Sequence, residues 1–262
     1  MLIDSHAHLE MKEFESDRRA VIERAVKAGV ECIVTVGTNL ALSRKALAIA
    51  RQYDHVYATV GVHPHDVARA GDKTFDDLKD LARDPKVVAY GEIGLDYFRN
   101  LSPRETQKEM FGKQLALAAE LKLPVIIHDR DAHEDTLAMV KASGVRCGVF
   151  HCFSGDWAMA RQCIDLGFYI SVPGVVTYDK SKTVHDVVRH APLDSMLLET
   201  DCPYLTPEPH RGKRNEPSYI IHTAGKVAEI KGIPWEEVAH VTSCNTRKLF
   251  GIASAAAKQS AR

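Results

Sequence analysis

Eight short apolar runs, each followed by a helical pattern, constrain the fold more than any other feature of this chain. The runs begin near residues 2, 32, 56, 87, 125, 147, 168 and 195. They are apolar throughout, which is typical of strands buried on both faces of a parallel sheet. Because alternation of strands and helices requires parallel strands, eight such units favour a closed (β/α)8 barrel, which takes about 250 residues. The 262-residue chain is therefore predicted to be an α/β protein with a single TIM barrel.

The composition sets the expected domain organisation and compartment. No linker or low-complexity segment divides the chain, so we predict one domain over residues 1–252 and a disordered, small and polar tail over residues 253–262. An open doubly wound sheet is the alternative, but the first turn lacks a GxGxxG motif. The six cysteines form no CxxC pair, which favours reduced thiols in a cytoplasmic protein. The sequence shows no signal region and no apolar run near the roughly 18 residues of a membrane helix.

Histidines and carboxylates follow most of the predicted strands, at the end where a TIM barrel carries its chemistry. Two histidines stand two positions apart at the first strand, so their side chains point to one face. Buried polar groups at strand ends need partners, and a metal ion supplies one. Chance placement among 13 histidines is the alternative, but it would have to recur at five strand ends. The candidate ligands are His6, His8, Glu92, His128, His151 and Asp201.

Six ligands exceed the needs of one open zinc site and suit two divalent ions about 3.5–4 Å apart. Glu92 comes from a middle strand and is the predicted bridge. His6, His8 and Asp201 complete the first site, because strands one and eight are neighbours in a closed barrel, and the other two histidines complete the second. Histidine and carboxylate ligands accept Zn²⁺, Mn²⁺, Fe²⁺ or Mg²⁺. Two such ions activate a water molecule, and Asp201 is placed to accept its proton.

A basic segment after the eighth strand suggests a substrate that carries phosphate. In a chain of net charge −1 there is no global basic field, so phosphate contacts require a local cluster. Arg211 and Arg214 are suited to bind phosphate oxygens in a bidentate way, and Lys213 can act as a point charge. The alternative is a solvated run of charges with Glu208 and Glu216 as counter-ions.

Other side chains near the predicted strand ends have two interpretations. His63, after the third strand, either donates to a phosphate oxygen or packs as a structural histidine under the rim. The aromatic residues Tyr97, Phe98, Tyr178 and Tyr204 are either platforms on which bases stack or part of the core and rim packing.

Several sequence motifs, in order along the chain, resemble the TatD family of metal-dependent hydrolases in the amidohydrolase superfamily. The motifs are DSHAHL at 4–9, GVHP at 61–64, GEIGLDY at 91–97, HDRDA at 128–132, HCFSG at 151–155, ETDCPYL at 199–205 and RGKRNEP at 211–217. The resemblance covers about residues 1–252. It implies a TIM barrel, a two-metal centre with all six candidate ligands, and a magnesium- or manganese-dependent deoxyribonuclease, in some members a 3′–5′ exonuclease on single strands.

We therefore expect a cytoplasmic deoxyribonuclease that uses two divalent ions (Mg²⁺, Mn²⁺ or Zn²⁺) and acts on DNA, without a membrane or an obligate protein partner. Glu92 and Asp201 are the predicted catalytic residues. The predicted substrate-binding residues are His63, Arg211, Arg214 and Asn215. A second hypothesis keeps the ions but hydrolyses a small-molecule amide or ester, or deacylates aminoacyl-tRNA. A third hypothesis is a non-catalytic metal-binding or scaffold protein.

Overall fold

Eight parallel strands follow one another around a nearly closed barrel, in the order β1 to β8. The computed structural model describes residues 1–253, so the predicted tail lies outside the described residues except for Ala253. The strands are β1 Leu2–Ala7, β2 Val30–Val36, β3 Val56–Val60, β4 Val87–Asp96, β5 Val125–Arg130, β6 Gly148–Phe150, β7 Tyr169–Val172 and β8 Met196–Leu198. Each starts within two residues of its predicted position, which confirms the α/β barrel.

Helices follow the strands and surround the barrel. Within residues 1–253 they are α1 Arg18–Lys27, α2 Leu40–Gln52, α3 Asp72–Leu81, α4 Arg104–Leu121, α5 His133–Ser143, α6 Trp157–Asp165, α7 Lys182–His190, α8 Ile220–Lys231 and α9 Trp235–Phe250. Asn39 begins α2 by accepting the N–H of Leu42 at 3.0 Å, and Gly144 ends α5 in a left-handed conformation. In the part of the chain that the structure describes, no helix combines the length and apolar character needed to cross a bilayer.

Backbone hydrogen bonds join the carboxyl end of β1 to the segment that follows β8. The N–H of Asp201 donates to the carbonyl of His6 at 2.9 Å, and the N–H of His8 donates to the carbonyl of Cys202 at 2.8 Å. Below these bonds, the carboxylate of Asp4 accepts the backbone N–H and the hydroxyl of Thr200 at 2.9 and 2.6 Å. The segment after β8 is thereby fixed against β1, which brings residues 6, 8 and 201 together.

An apolar cluster fills the inside of the barrel beneath this end. It draws on strands all round the sheet, among them Ile3, Val34, Ile126 and Leu197, and is closed by Phe250 at the end of α9. Each fully buried aliphatic side chain stabilises the fold by about 1.5–3 kcal/mol. The barrel is therefore a packed core, and the candidate ligands lie at its carboxyl end.

Candidate metal centre

The six predicted ligands converge around Glu92, which lies within β4. Its Oε2 atom is 3.6 Å from Nε2 of His6 and 3.8 Å from Nε2 of His8. Its Oε1 atom is 2.7 Å from Nδ1 of His128 and 2.8 Å from Nε2 of His151. The two oxygens of one carboxylate thus face two separate groups of imidazole nitrogens. A carboxylate with histidines beside each of its oxygens is suited to bridge two ions.

Asp201 completes the group on the Oε2 side of Glu92. Its Oδ1 atom is 3.3 Å from Nε2 of His8 and 3.7 Å from Nε2 of His6, and these two nitrogens are 3.2 Å apart. Ligands bonded at about 2.1 Å to a tetrahedral ion lie about 3.4 Å from one another. The separations therefore leave room for one ion among these atoms. The structure brings the residues together in the predicted grouping, and their roles as ligands remain a prediction.

Hydrogen bonds on the far side of two rings aim a free nitrogen at the centre. Nδ1 of His8 lies 3.1 Å from the carbonyl oxygen of Val36 and 3.1 Å from Oε1 of Glu10, so in the neutral ring it carries the proton and leaves Nε2 available to a cation. Nε2 of His128 lies 3.2 Å from Oδ2 of Asp96, and its Nδ1 atom faces Glu92 at the centre. Metal-binding histidines show this pattern, and the donor set fits a divalent cation.

The electrostatics of the centre keep its carboxylates ionised. Burial opposes ionisation of Glu92, but His151 and His63 outweigh it and hold the pKa of Glu92 well below its usual range. Partial burial likewise opposes ionisation of Asp201, but His8 and His6 outweigh it and lower its pKa. The carboxylates in turn raise the pKa of His8 and His151 above the ordinary value despite burial. Protons and a cation therefore compete for the same nitrogen atoms.

His63 joins the centre as a hydrogen-bond donor. Its Nε2 atom is 3.4 Å from Oε1 of Glu92, and its Nδ1 atom accepts the N–H of His65 at 3.1 Å. Burial lowers the pKa of His63 to about 4, so the ring is neutral at pH 7. With Nδ1 accepting, the proton resides on Nε2 and points toward Glu92. This geometry favours donation to a substrate oxygen over metal ligation.

Two glycines allow β4 to approach β5 closely enough for Glu92 to meet its partners. Gly94 has φ +148°, and a Cβ atom there would lie 1.9 Å from the carbonyl oxygen of His128. Gly91 has φ +156°, and its Cβ would lie 2.7 Å from the carbonyl oxygen of Ile126. Side chains rarely adopt such backbone conformations, and neither position has space for one. The GEIG motif is thus required by the packing of two strands.

A cleft of about 770 Å³ opens above the centre and is lined by Glu92 and Asp201. Arg99, Arg130 and Tyr204 also line it. The Arg130 guanidinium lies 3.9 Å from the ring centre of Phe98, and Phe98 and Tyr204 are 58% and 50% exposed. Neither arginine was predicted from the sequence to bind substrate. The position of Arg130, two residues after His128 on the same strand, was the available signal.

The predicted phosphate-binding segment lies outside this cleft, and its side chains have partners of their own. Arg214 forms an ion pair of 2.7 Å with Asp17, donates to the carbonyl of Glu13 and lies 4.6 Å from the ring centre of Phe14. Its guanidinium is thus used to hold the segment against the start of α1. None of the three predicted residues of this segment is among the described residues that line the cleft.

The other two residues of the segment also have local partners. Asn215 is fully buried and donates to the carbonyls of Thr200 and Tyr204 at 2.8 and 2.6 Å. Arg211 lies 4.3 Å from the ring centre of Tyr178 and 3.8 Å from the carboxylate of Glu208. Asn215 therefore shapes the chain that carries Asp201, and Arg211 is a surface side chain.

Comparisons with known proteins agree with this barrel and its site. A family model described as TatD related DNase matches residues 3–251. This chain belongs to the TatD family. It is 44% identical over 254 residues to the uncharacterized metal-dependent hydrolase YabD of Bacillus subtilis, covering 96% of this chain and 100% of that protein. It is 38% identical over 260 residues to the 3′-5′ ssDNA/RNA exonuclease TatD of Citrobacter koseri, covering 96% and 100%.

A solved structure of the TatD family shows the same architecture. The crystal structure of YjjV, a TatD homologue from Escherichia coli, superposes with a TM-score of 0.92 and is 34% identical, covering 96% of this chain and 98% of that one. The family and the relatives together identify this TatD protein as a metal-dependent hydrolase.

Proposed function

We propose that this TatD protein is a deoxyribonuclease that removes nucleotides from the 3′ end of single-stranded DNA with two divalent ions. The supporting observation is the combination of side chains around the cleft. Arg99, Arg130 and Tyr204 line the cleft, and the exposed ring of Phe98 lies against Arg130. Bases stack on aromatic side chains and phosphates bind arginine, so single-stranded nucleic acid matches this chemistry.

Each residue at the centre has a task in this proposal. When bound, the two ions lower the pKa of a water molecule and neutralise the charge that develops on the phosphate. Glu92 would hold both ions through its two oxygens. Asp201 would accept the proton of the attacking water, because its ionised carboxylate lies at the open side of the site. His63 would donate a hydrogen bond from its Nε2–H group to a phosphate oxygen.

The size of the cleft favours the end of a strand as substrate. A volume of about 770 Å³ lies within the range of sites for compact ligands, about 300–1,000 Å³. It suits a terminal nucleotide and its phosphate rather than a duplex. The name of the Citrobacter koseri relative, 38% identical to this chain, supports a 3′-5′ direction on single strands.

The experiment incubates metal-reconstituted protein with single-stranded DNA labelled at either the 3′ or the 5′ end. We expect the 3′ label to be released at once as a mononucleotide and the 5′-labelled strand to shorten into a ladder. Glu92→Gln is the control, because it keeps the shape of the side chain but removes the bridging charge.

Two results would refute the proposed metal-dependent nuclease activity. One is intact DNA with Mg²⁺, Mn²⁺ and Zn²⁺ alike, as the hypothesis of an amide, ester or aminoacyl-tRNA hydrolase predicts. The other is equal shortening by the wild type and the Glu92→Gln variant. Loss of the 5′ label first would reverse the proposed direction.

A further inference from the structure

A buried carboxylate behind the candidate metal centre has hydrogen-bonding capacity that the site described so far does not use. Glu199 is fully buried directly after β8. Its Oε1 atom accepts the N–H of Cys152 at 2.7 Å, whereas its Oε2 atom has no partner. Buried polar atoms are almost always paired, so such an oxygen indicates a donor that approaches it in the working protein.

Two histidine nitrogens beside Glu199 lack partners as well. Nδ1 of His6 and Nδ1 of His151 are buried and make no hydrogen bond. The two rings stack with their centres 3.9 Å apart and their planes at 11°. Nδ1 of His151 is 3.6 Å from Oε1 of Glu199, and a ring nitrogen of each histidine lies within 4.8 Å of a Glu199 oxygen. Three unpaired polar atoms thus share one buried region.

The Nε2 atoms of these two rings face the centre, and this determines whether each Nδ1 atom must donate or accept a hydrogen bond. Nε2 of His6 lies near Oε2 of Glu92, and Nε2 of His151 lies near Oε1 of Glu92. An imidazole that binds a cation through Nε2 keeps its proton on Nδ1. Both Nδ1 atoms then require an acceptor, and Glu199 supplies one. Nδ1 of His151 and Oε1 of Glu199 are 3.6 Å apart, so a small rotation of the ring would form a direct hydrogen bond. One bridging water molecule would serve equally.

We propose that Glu199 is a positioning residue shared by the two halves of the metal centre. Its carboxylate orients one histidine on the Oε2 side of Glu92 and one on the Oε1 side. Two other carboxylates have one-sided roles, since Glu10 contacts His8 and Asp96 contacts His128. The inference rests on the metal centre of the proposed function and not on the identity of the substrate.

The test measures metal binding by the full-length protein, free of metal at the start, with Mn²⁺ as the probe. Isothermal titration gives the affinity and stoichiometry, and electron paramagnetic resonance detects the coupled pair of ions. Glu199→Gln keeps an oxygen that can accept the Cys152 N–H but removes the charge shared by the histidines. We expect both binding steps to weaken, by about 10–100-fold as for other partners of metal-binding histidines.

Matched variants separate a shared role from general damage to the site. Glu10→Gln should weaken only the step on the Oε2 side, and Asp96→Asn only the step on the Oε1 side. Glu199→Asp keeps the charge at a shorter reach, so a bridging water should restore part of the affinity at both steps. Melting temperatures and circular dichroism of the metal-free proteins identify any variant that does not fold. If Glu199→Gln does not fold, Glu199→Asp alone provides the test.

The possible results distinguish this inference from the proposed function. A wild-type protein that binds fewer than two Mn²⁺ ions refutes the two-metal centre itself. Two ions bound by the wild type, with unchanged affinity in a folded Glu199 variant, leave the centre intact and overturn the shared role. A loss confined to one step also overturns it, because it would place Glu199 with Glu10 and Asp96.

Discussion

At the scale of single residues, partners distant in the sequence decide what a charged side chain does. Arg214 follows the last strand in a basic segment, yet Asp17 binds its guanidinium at 2.7 Å. Arg130 stands in a less basic stretch, yet it lines the cleft and rests against Phe98. The charge of an arginine is therefore a poor guide to its role unless the acceptors around it are known.

The arginines at the cleft provide the first prediction. Arg130→Ala should lower kcat/KM on single-stranded DNA by about 10–100-fold, because a hydrogen bond to a charged group contributes about 1.5–3 kcal/mol. Arg211→Ala is the matched control and should stay near the wild-type value, since Arg211 contacts Tyr178 and Glu208 away from the cleft. Steady-state assays of both variants check this. Equal losses, or a larger loss for Arg211→Ala, would contradict it.

Gly94 provides a second prediction at this scale. Gly94→Ala places a Cβ 1.9 Å from the carbonyl oxygen of His128, in a backbone conformation with φ +148°. We expect it to lower the free energy of unfolding by about 3 kcal/mol or more. The control is Gly225→Ala in α8, where a Cβ meets no atom within 4 Å and should stabilise the helix by about 0.5–1 kcal/mol. Urea denaturation measures both, and equal stability of Gly94→Ala and the wild type would refute the packing argument.

At the scale of elements, the segment before α8 is fastened to α1. Arg24 in α1 donates to both carboxylate oxygens of Glu216, with Nε–Oε1 at 2.9 Å and Nη2–Oε2 at 2.6 Å. Arg214 adds the pair with Asp17. Asn215 lies between Arg214 and Glu216 and donates to the carbonyl of Thr200. The two ion pairs therefore stabilise the chain next to Asp201. The basic motif at 211–217 thus stabilises the site from outside it.

The ion pair between Arg24 and Glu216 should make the stability of the protein depend on pH. Burial opposes ionisation of Glu216, but Arg24 outweighs it, so the folded-state pKa lies below the ordinary value of 4.5. A lowered pKa contributes stability above the unfolded value, and the contribution is lost as the pH falls through the folded value. Glu216→Gln should therefore destabilise the protein at pH 7 by about 1 kcal/mol, since Arg24 is partly exposed and solvent weakens the pair.

Urea denaturation at pH 7 and at pH 4 measures the effect of Glu216→Gln. The difference from the wild type should shrink at the lower pH. Glu23→Gln is the control, because the Glu23–Arg19 pair is exposed on both sides and should contribute little at either pH. If the stability difference between Glu216→Gln and the wild type grew at pH 4, the proposed contribution of the ion pair would be contradicted.

The carboxyl end of β4 could not be located from the pattern of apolar residues. The candidate ligands were expected to follow the strands, but β4 runs from Val87 to Asp96 and includes Glu92. The apolar run ends at Tyr90, whereas the hydrogen-bonded ladder with β5 continues to Asp96. Glycines and acidic residues have low strand propensity, so their inclusion depended on pairing with a neighbouring strand.

At the scale of the whole molecule, the candidate centre ties together opposite sides of the barrel. Its side chains come from β1, β4, β5 and the segments after β6 and β8. Because the unfolded chain does not hold these groups together, metal binding favours the folded state.

Metal removal tests this connection between the site and the fold. Exhaustive chelation should lower the melting temperature, and readdition of Mn²⁺ or Zn²⁺ should restore it. One site held at about 100 times its Kd adds about 2.7 kcal/mol, which corresponds to roughly 5–10 °C. Glu92→Gln should lose most of this increment, since its side chain faces both groups of histidines. Differential scanning calorimetry checks it, and a metal-independent melting temperature of the wild type would contradict it.

The sequence by itself determined the barrel and the chemical types at its open end. Strand and helix periodicity are local properties of the chain, and a barrel places every strand end at the same face, so His6, Glu92 and His128 could be expected to meet. Only the tertiary structure decided which arginines line the cleft, which nitrogen of His63 carries its proton, and that Glu199 lies behind two histidines. Those outcomes depend on contacts between residues far apart in the chain, and local sequence patterns do not specify such contacts.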